Sequence, residues 1–497
     1  MVERSRLEIS VEQSDALSNE FAVAFRHMLS QSLPVARRAN TNITRYPDMY
    51  IHENKMPTFS EVGFWQDPPK RDYDWALSPT LLSGPFGALP AEALKACDQL
   101  ADLLWTIPAT RQRFENKASA EYEARKVVEN AVKRYFYVFG PENYNPDHAK
   151  SVVQGFILAL TQDNLQLALA VPILALNFEV DRYRLDNDTY IVRMAKPFQL
   201  ARAASAFGFA GVSKSVSGAA THAFISTRWS IGNMGMFSLS RALADPSDDS
   251  FSTMDEFFAA LRVTTGITSG YAQVLYVPRG WAYQYPWDLP ALYSSEHRRY
   301  PSSYDRSALW SNGAAQSVSR ELLSDIRRTY QQIRDAKQNN LELALRRLNT
   351  CVTRDDDVDA ILDSIIGIEL LLGGDKTDSI TFKLRMRVAA LAKLTDGDFD
   401  PEIAFAEMNE LYSTRSEIVH GNASRKRSKE IENKKRGKYK AQREMATNYL
   451  RMALRMLLKH PEYRDPSRID TGLLINTSMH VVTSEPAEPT LPGIVSK

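Results

Sequence analysis

The chain has 497 residues, 44% of them apolar and 24% charged, with 61 Lys and Arg against 60 Asp and Glu. This length predicts two or more domains, each with its own core, and the composition excludes wholesale disorder. A formal charge of +1 excludes a molecule that attracts nucleic acid through its overall field, so any such binding needs a local basic patch.

Cys97 and Cys351 are the only cysteines, which excludes a disulfide framework and a Cys-rich zinc site and predicts a reducing, cytoplasmic setting. The longest purely apolar run, Leu167 to Leu176, contains Pro172 and falls short of the about 20 residues a membrane span needs. Neither a signal peptide nor a transmembrane helix is expected, and no membrane partner.

Up to about Pro90, prolines 47, 57, 68, 69, 79 and 85 interrupt aromatic residues such as Trp65 and Trp75, so loops and short elements are predicted. Ala91 to Trp105 and Ala118 to Tyr137 space their apolar residues at three and four, among them Val127, Val128, Ala131 and Val132. Both read as amphipathic helices.

Between about Leu165 and Tyr276 the pattern changes. Ile173 to Val180, Tyr190 to Met194, Phe224 to Trp229 and Ala272 to Val277 read as strands, with a turn at Asp186-Asn187-Asp188 and a helix over Met254 to Val263. From Ser317 onward helices are predicted near 317–337, 339–352, 356–372, 379–394, 402–420 and 440–459, broken at Gly373-Gly374, Asp396-Gly397-Asp398 and Gly421-Asn422. The proline-rich end around Pro486, Pro489 and Pro492 predicts a flexible tail.

The expected fold class is α+β multidomain. It comprises an irregular and helical region over 1–110, a mixed α/β domain over 111–310 with a sensor or regulatory role, a helical bundle over 317–460 and a tail over 461–497.

The most informative stretch is Leu411-Tyr412-Ser413-Thr414-Arg415-Ser416-Glu417-Ile418-Val419-His420-Gly421. With Phe405, Met408, Leu411, Tyr412, Ile418 and Val419 at helical spacing, Arg415 falls one turn past Leu411 on the apolar stripe. A guanidinium there needs a carboxylate, a carbonyl or an anion, so a structural ion pair and a phosphate contact are both open. His420, just before Gly421, suits either a helix C-terminal cap or a proton-transfer group. Together, an arginine holding a phosphate and a histidine moving a proton are the least that metal-independent RNA cleavage requires.

Arg415-Ser-Glu-Ile-Val-His420 resembles the Arg-x4-6-His motif of HEPN ribonucleases, and LYSTRSEIVHG resembles the Apea-like HEPN branch. The likeness extends to LALRRLNTCVTRDDDVDAILDSIIGIELLL (Leu343 to Leu372) and to LRMRVAAL (Leu384 to Leu391), and so covers about Asn339 to Leu458. The segment from Val171 to about Pro301 is similar to the α/β region that often precedes this HEPN type. The resemblance implies an all-α bundle that forms a homodimer and an endoribonuclease in which a ribose 2′-hydroxyl attacks its own phosphate. Arg415 would stabilise the charge and His420 would act as general base or acid. It also implies a role in bacterial stress or antiphage defence, as a toxin with a trigger or antitoxin protein as partner. Ribonuclease members often carry Asn, Asp or His where this chain has Ser416. A non-catalytic HEPN module that only dimerises or binds RNA is the alternative.

Four residues are expected to support the pair: Glu369, Arg387, Ser416 and Tyr412. Glu369 shares a stripe with Leu362, Ile365 and Leu372, which makes it a candidate buried acid satisfied by Arg415 or Arg387, and a structural role is favoured over catalysis. From Arg425 to Arg443 ten basic residues face only Glu430 and Glu432, a local net charge of +8. Arg425, Lys426, Arg427, Lys434, Lys435 and Arg436 are the candidate RNA contacts, with a solvated face as the alternative.

Asp355, Asp359 and Asp363 recur every four residues. Helix-start acids and a solvated face are preferred there to a metal site. The other histidines lack HxxxH spacing, and Gly208 to Ser215 departs from a P-loop at Ser213, so neither metal nor cofactor is expected.

Overall fold

In a computed structural model of the chain, residues 8–38, 46–60, 71–76, 91–142, 144–206, 211–306, 315–374, 379–419 and 429–475 are described. The class is mixed α/β. Met1–Phe258 with Ile267–Tyr330 form one compact unit, and Ala259–Gly266 with Gln331–Lys497 form a second.

The first unit begins with a helix where loops were expected. Helix α1 (Val11–Ala36) starts at Ser10, whose hydroxyl accepts from the Gln13 amide while the Gln13 side chain accepts from the Ser10 amide. This reciprocal cap satisfies two of the donors that a helix start leaves open. Its only proline, Pro34, sits in the last turns, so the prolines that argued for loops all lie downstream of it. Helices α2 (Ala91–Thr106), α3 (Lys117–Phe139) and α4 (Pro146–Thr161) pack with α1. The stripe predicted in α3 is the buried one: Val127, Val128, Ala131 and Val132 are all fully covered.

The sheet has six strands: β3 (Asn164–Pro172), β5 (Arg182–Arg184), β6 (Thr189–Arg193), β7 (His222–Gly232), β8 (Tyr271–Pro278) and β9 (Tyr293–Arg299). Their order is β5-β6-β7-β3-β8-β9, with every neighbouring pair antiparallel. A separate antiparallel pair joins β1 (Asp48–Ile51) to β2 (Pro57–Ser60), and a parallel pair joins β4 (Leu176–Phe178) to β10 (Gln316–Val318).

Of the strand expected over 173–180, only Leu176–Phe178 (β4) is a strand, and the apolar run before it belongs to β3. The chain leaves the large sheet at Pro172, turns through Ala175 at φ +54°, and pairs again elsewhere. A non-glycine residue in the left-handed region cannot continue a strand. The predicted turn at 186–188 is present, held by Asp186 accepting from the Asp188 amide at 2.9 Å. The predicted helix over 254–263 is the middle of α5 (Asp248–Thr265).

Phe224 of β7 is fully buried and stacks on Phe257 of α5 at 4.8 Å, which ties helix to sheet. Beside it His222 is also fully buried. Its Nε2 lies 3.0 Å from the Val180 carbonyl, which assigns the proton to Nε2. Its Nδ1 then accepts from the Thr221 hydroxyl at 2.8 Å.

The second unit carries the helices expected near 317–459, with shifted ends: α6 (Arg320–Asp335), which starts in the first unit, α7 (Asn339–Thr353), α8 (Asp357–Leu372), α9 (Ile380–Ala392), α10 (Pro401–Val419) and α11 (Lys429–Lys459). α11 begins eleven residues before the predicted start of 440. Helix α8 is central to this unit, packing on α7, α9, α10 and α11. Gly367 lets α11 come close, since a Cβ there would sit 2.8 Å from Leu450 Cδ1. The tail expected from 461 is not extended at its start, because residues 461–475 form helical turns that bury Tyr463, Ile469 and Leu473. The proline-rich end lies outside the described residues. Among the described residues, no helix is long and apolar enough to cross a membrane.

Burial moves the His222 imidazole down to about 4 from the ordinary 6.5, with Arg193 adding to the effect. A lowered base means that the unfolded chain binds the proton more readily. The stability that His222 contributes is thus complete above pH 6.5 and is lost as pH falls towards 4. Urea titrations between pH 4 and 7 should show stability rising with pH, and His222→Gln should flatten that rise.

Candidate functional site

Helix α8 is buried on nearly every side, yet it carries two acids on that surface, Asp363 and Glu369. A carboxylate leaving water there needs cations or donors, and each acid has recruited them.

Glu369 meets α10. Arg415 Nε lies 3.3 Å from its Oε1, and Nη2 donates to Oε2 at 3.5 Å. The Tyr412 hydroxyl donates to the same Oε1. Burial first, and then the Glu369 hydrogen bond and charge, hold the Tyr412 hydroxyl far above its usual range, so it remains a donor. The Arg415 guanidinium also sits 5.5 Å from the centre of the Tyr412 ring. The side chains of Arg415 and Glu369 keep 33% and 22% of their surface open, so the pair lies at the edge of the bundle and not in its core.

The buried stripe of α10 consists of Ala404, Met408, Leu411 and Thr414. Arg415 was expected on that stripe, but Thr414 takes the position three residues after Leu411, and Val419 is 57% exposed. Thr414 is anchored by Gln442 of α11, whose amide donates to its hydroxyl at 2.7 Å and to Glu410 at 2.9 Å. That bond orients Thr414 inward and leaves Arg415 at the margin. Ser416 is exposed.

Arg387 is elsewhere. Its fork grips Asp470 at 2.8 and 2.6 Å, while Nη1 donates to the Leu372 and Gly373 carbonyls. Of the two partners considered for Glu369, the structure places Arg415 there, and Arg387 instead ties the end of α8 to the segment after residue 461.

Asp363, expected on a solvated face, has a side chain only 5% exposed and accepts from Arg347 at 2.5 Å and Arg354 at 3.0 Å. Its position three residues past Ala360 and four before Gly367, both buried, was the signal for this. Asp356 caps α8 through the Val358 and Asp359 amides. Among the described residues, no group of three or more His, Cys, Asp or Glu is placed to hold a metal ion.

His420 lies outside the described residues, as do Arg425, Lys426 and Arg427. Helix α10 is described to Val419. Lys434, Lys435 and Arg436 fall in the first turns of α11, and their side chains are not described. Two other members of the basic run have internal partners. Arg443 bonds Asp357 at 3.0 Å and the carbonyls of Cys351, Val352 and Arg354, and Lys438 approaches Glu417 at 3.9 Å.

Comparison of the chain with family models, with curated proteins and with solved structures finds no match in any of the three.

The two acids of α8 should differ sharply in stability measurements. Replacing Asp363 with Ala leaves two cations without their buried partner and should cost about 1–3 kcal/mol. Glu369→Ala, at a partly open pair, should cost less than about 1 kcal/mol. Denaturant unfolding of the two variants checks the order.

Proposed function

We propose that the chain is a metal-independent endoribonuclease of HEPN type, acting as a homodimer through its helical bundle. The observation that carries this reading is the Arg415 side chain. Glu369 and Tyr412 hold it in place, yet it stays one-third open at the end of the helix that leads to His420. A fixed, partly exposed guanidinium is suited to receive a phosphate without first being ordered. Arg415 would steady the negative charge as the ribose 2′-hydroxyl attacks the adjacent phosphorus and the 5′-oxygen leaves. His420 would take the hydroxyl proton or supply one to the leaving oxygen. The resemblance of the three sequence blocks around these residues also supports the reading, and it extends the proposal to a role in bacterial stress or defence, with the first unit as the sensor of a trigger or antitoxin.

One observation favours a second reading. Glu369 neutralises Arg415 within the chain, as a structural ion pair would, and this suits a bundle that only dimerises or binds RNA.

Incubation with RNA in EDTA separates the two. The enzyme reading expects cleavage that leaves 2′,3′-cyclic phosphate ends, with Arg415→Ala and His420→Ala each lowering the rate by about 100-fold or more while the fold is kept. Equal activity in wild type and both variants, or no cleavage at all by a folded protein, would overturn it.

Binding has its own test in the basic run. Changing Lys434, Lys435 and Arg436 to Gln should weaken single-stranded RNA binding and reduce the log–log salt slope by about 0.7 for each phosphate that is no longer neutralised.

A further inference from the structure

In the first unit, the short helix Met236–Leu243 forms part of the wall of a cleft of about 340 Å3, a volume within the range of about 300–1,000 Å3 typical of small-molecule sites. Ser240 and, just past the helix end, Ala244 line the cleft together with Ala204, Tyr285 and Leu292. Eight residues do not make a stable helix alone, so this wall stands only while its ties to the rest of the unit hold. Met236, Leu239 and Leu243 supply the apolar ties. Phe237, 51% exposed, adds a contact at 5.3 Å with the similarly exposed ring of Tyr122.

The start of the helix is tied differently. Gly235 precedes it at φ +81° and has no side chain with which to cap the open amides of the first turn. Glu123 of α3 does so instead, its Oε2 accepting from the Met236 amide at 2.8 Å. A Cβ at position 235 would lie 2.9 Å from that same oxygen, so the backbone conformation and the close approach both call for glycine.

Glu123 is only 3% exposed, and among the described residues its other oxygen, Oε1, meets no donor. Arg113, whose charge reaches it, is committed elsewhere: Nη1 donates to the Leu160 carbonyl at 2.6 Å, and Nη2 to the Gln162 carbonyl at 3.3 Å and Asp163 at 3.1 Å. On α3 itself, Lys126 is paired with Glu129 and Arg125 with Asp98. Tyr283 and Tyr293 also feel the charge of Glu123. Burial first, and then that charge, hold both hydroxyls far above their usual range, so both stay neutral. An ionised carboxylate with one oxygen unmatched is costly in such a place. Burial accordingly pushes the Glu123 carboxyl up from 4.5 to about 7, against the opposing pull of the Met236 amide and the Arg113 charge.

We propose that the helix Met236–Leu243 is a lid on this cleft, latched while Glu123 is protonated and released when Glu123 ionises. The direction follows from proton linkage. With the lid open, Glu123 is hydrated and holds its proton with ordinary affinity, whereas with the lid closed it holds the proton more tightly. Closure is therefore favoured most below pH 4.5 and weakens as the pH rises towards 7. The lid does not depend on whether Arg415 is catalytic.

Hydrogen exchange of the full chain tests the proposal, followed at the amides of residues 236–243 and of β3 and corrected for the intrinsic pH dependence of exchange. Protection of the lid should fall about tenfold or more between pH 5 and 8. At pH 8 the lid amides should exchange about tenfold or more faster than those of β3, since the sheet does not open with the lid. In Glu123→Gln, which keeps a neutral side chain of similar shape at every pH, the lid should show no such fall. If Glu123→Gln does not fold, Glu123→Met, which cannot ionise either, takes its place with the same expectation. The proposal is overturned if lid protection in the wild type does not fall with pH, if lid and β3 amides exchange alike, or if the variant repeats the wild-type fall.

Discussion

Two carboxylates on a largely buried helix fix the positions of three arginines of the bundle, Arg347, Arg354 and Arg415. In the chain, Asp363 and Glu369 lie on either side of Gly367, where Leu450 of α11 packs close against α8. A carboxylate drawn away from water is costly without partners, and the helices that pack on α8 bring cations to both acids. Helix α7 and the turn after it bring Arg347 and Arg354 to Asp363, and α10 brings Arg415 and Tyr412 to Glu369. The apolar surface of α8 would permit many rotations of its neighbours. The two acids select among them, because a charge left unmatched costs more than a leucine shifted by part of a turn.

The elements that the sequence made legible are those whose pattern is local. The stripe of α3 and the helices of the second unit follow from apolar spacing, and the breaks at Gly373 and around residues 396–398 follow from turn chemistry. Helix α1 was hidden for a different reason. Its own sequence carries a capping box at Ser10 and Gln13, but the prolines beyond residue 47 dominate any wide window that includes it. The run from Leu167 to Leu176 was legible as apolar but not as two elements, since the left-handed turn at Ala175 has no glycine to announce it.

The candidate site divides in the same way. That Arg415 needs an anion follows from elementary solvation, and Glu369 was recognisable as an acid on an apolar stripe. That Thr414, not Arg415, takes the buried position depends on Gln442, 28 residues away on another helix. That Arg387 is claimed by Asp470 depends on a residue 83 positions distant. Side-chain networks of this reach are fixed by tertiary packing, and no periodicity within one helix encodes them.

The ion pair that would make Arg415 structural does not prevent it from acting on a phosphate, and the count of donors shows why. A guanidinium has five N–H groups: one on Nε and two on each terminal nitrogen. Glu369 approaches Nε and Nη2, so Nη1 is outside that pair and at least two donors remain for another anion. The carboxylate also fixes the plane of the fork, and this reduces the side-chain entropy that a flexible arginine would lose on meeting a ligand. A surface arginine with no acid beside it would carry more charge but less direction. Holding Arg415 by one edge at the margin of the bundle keeps most of its donors available while their orientation is set in advance, and that arrangement serves phosphate recognition whether or not a bond is then broken.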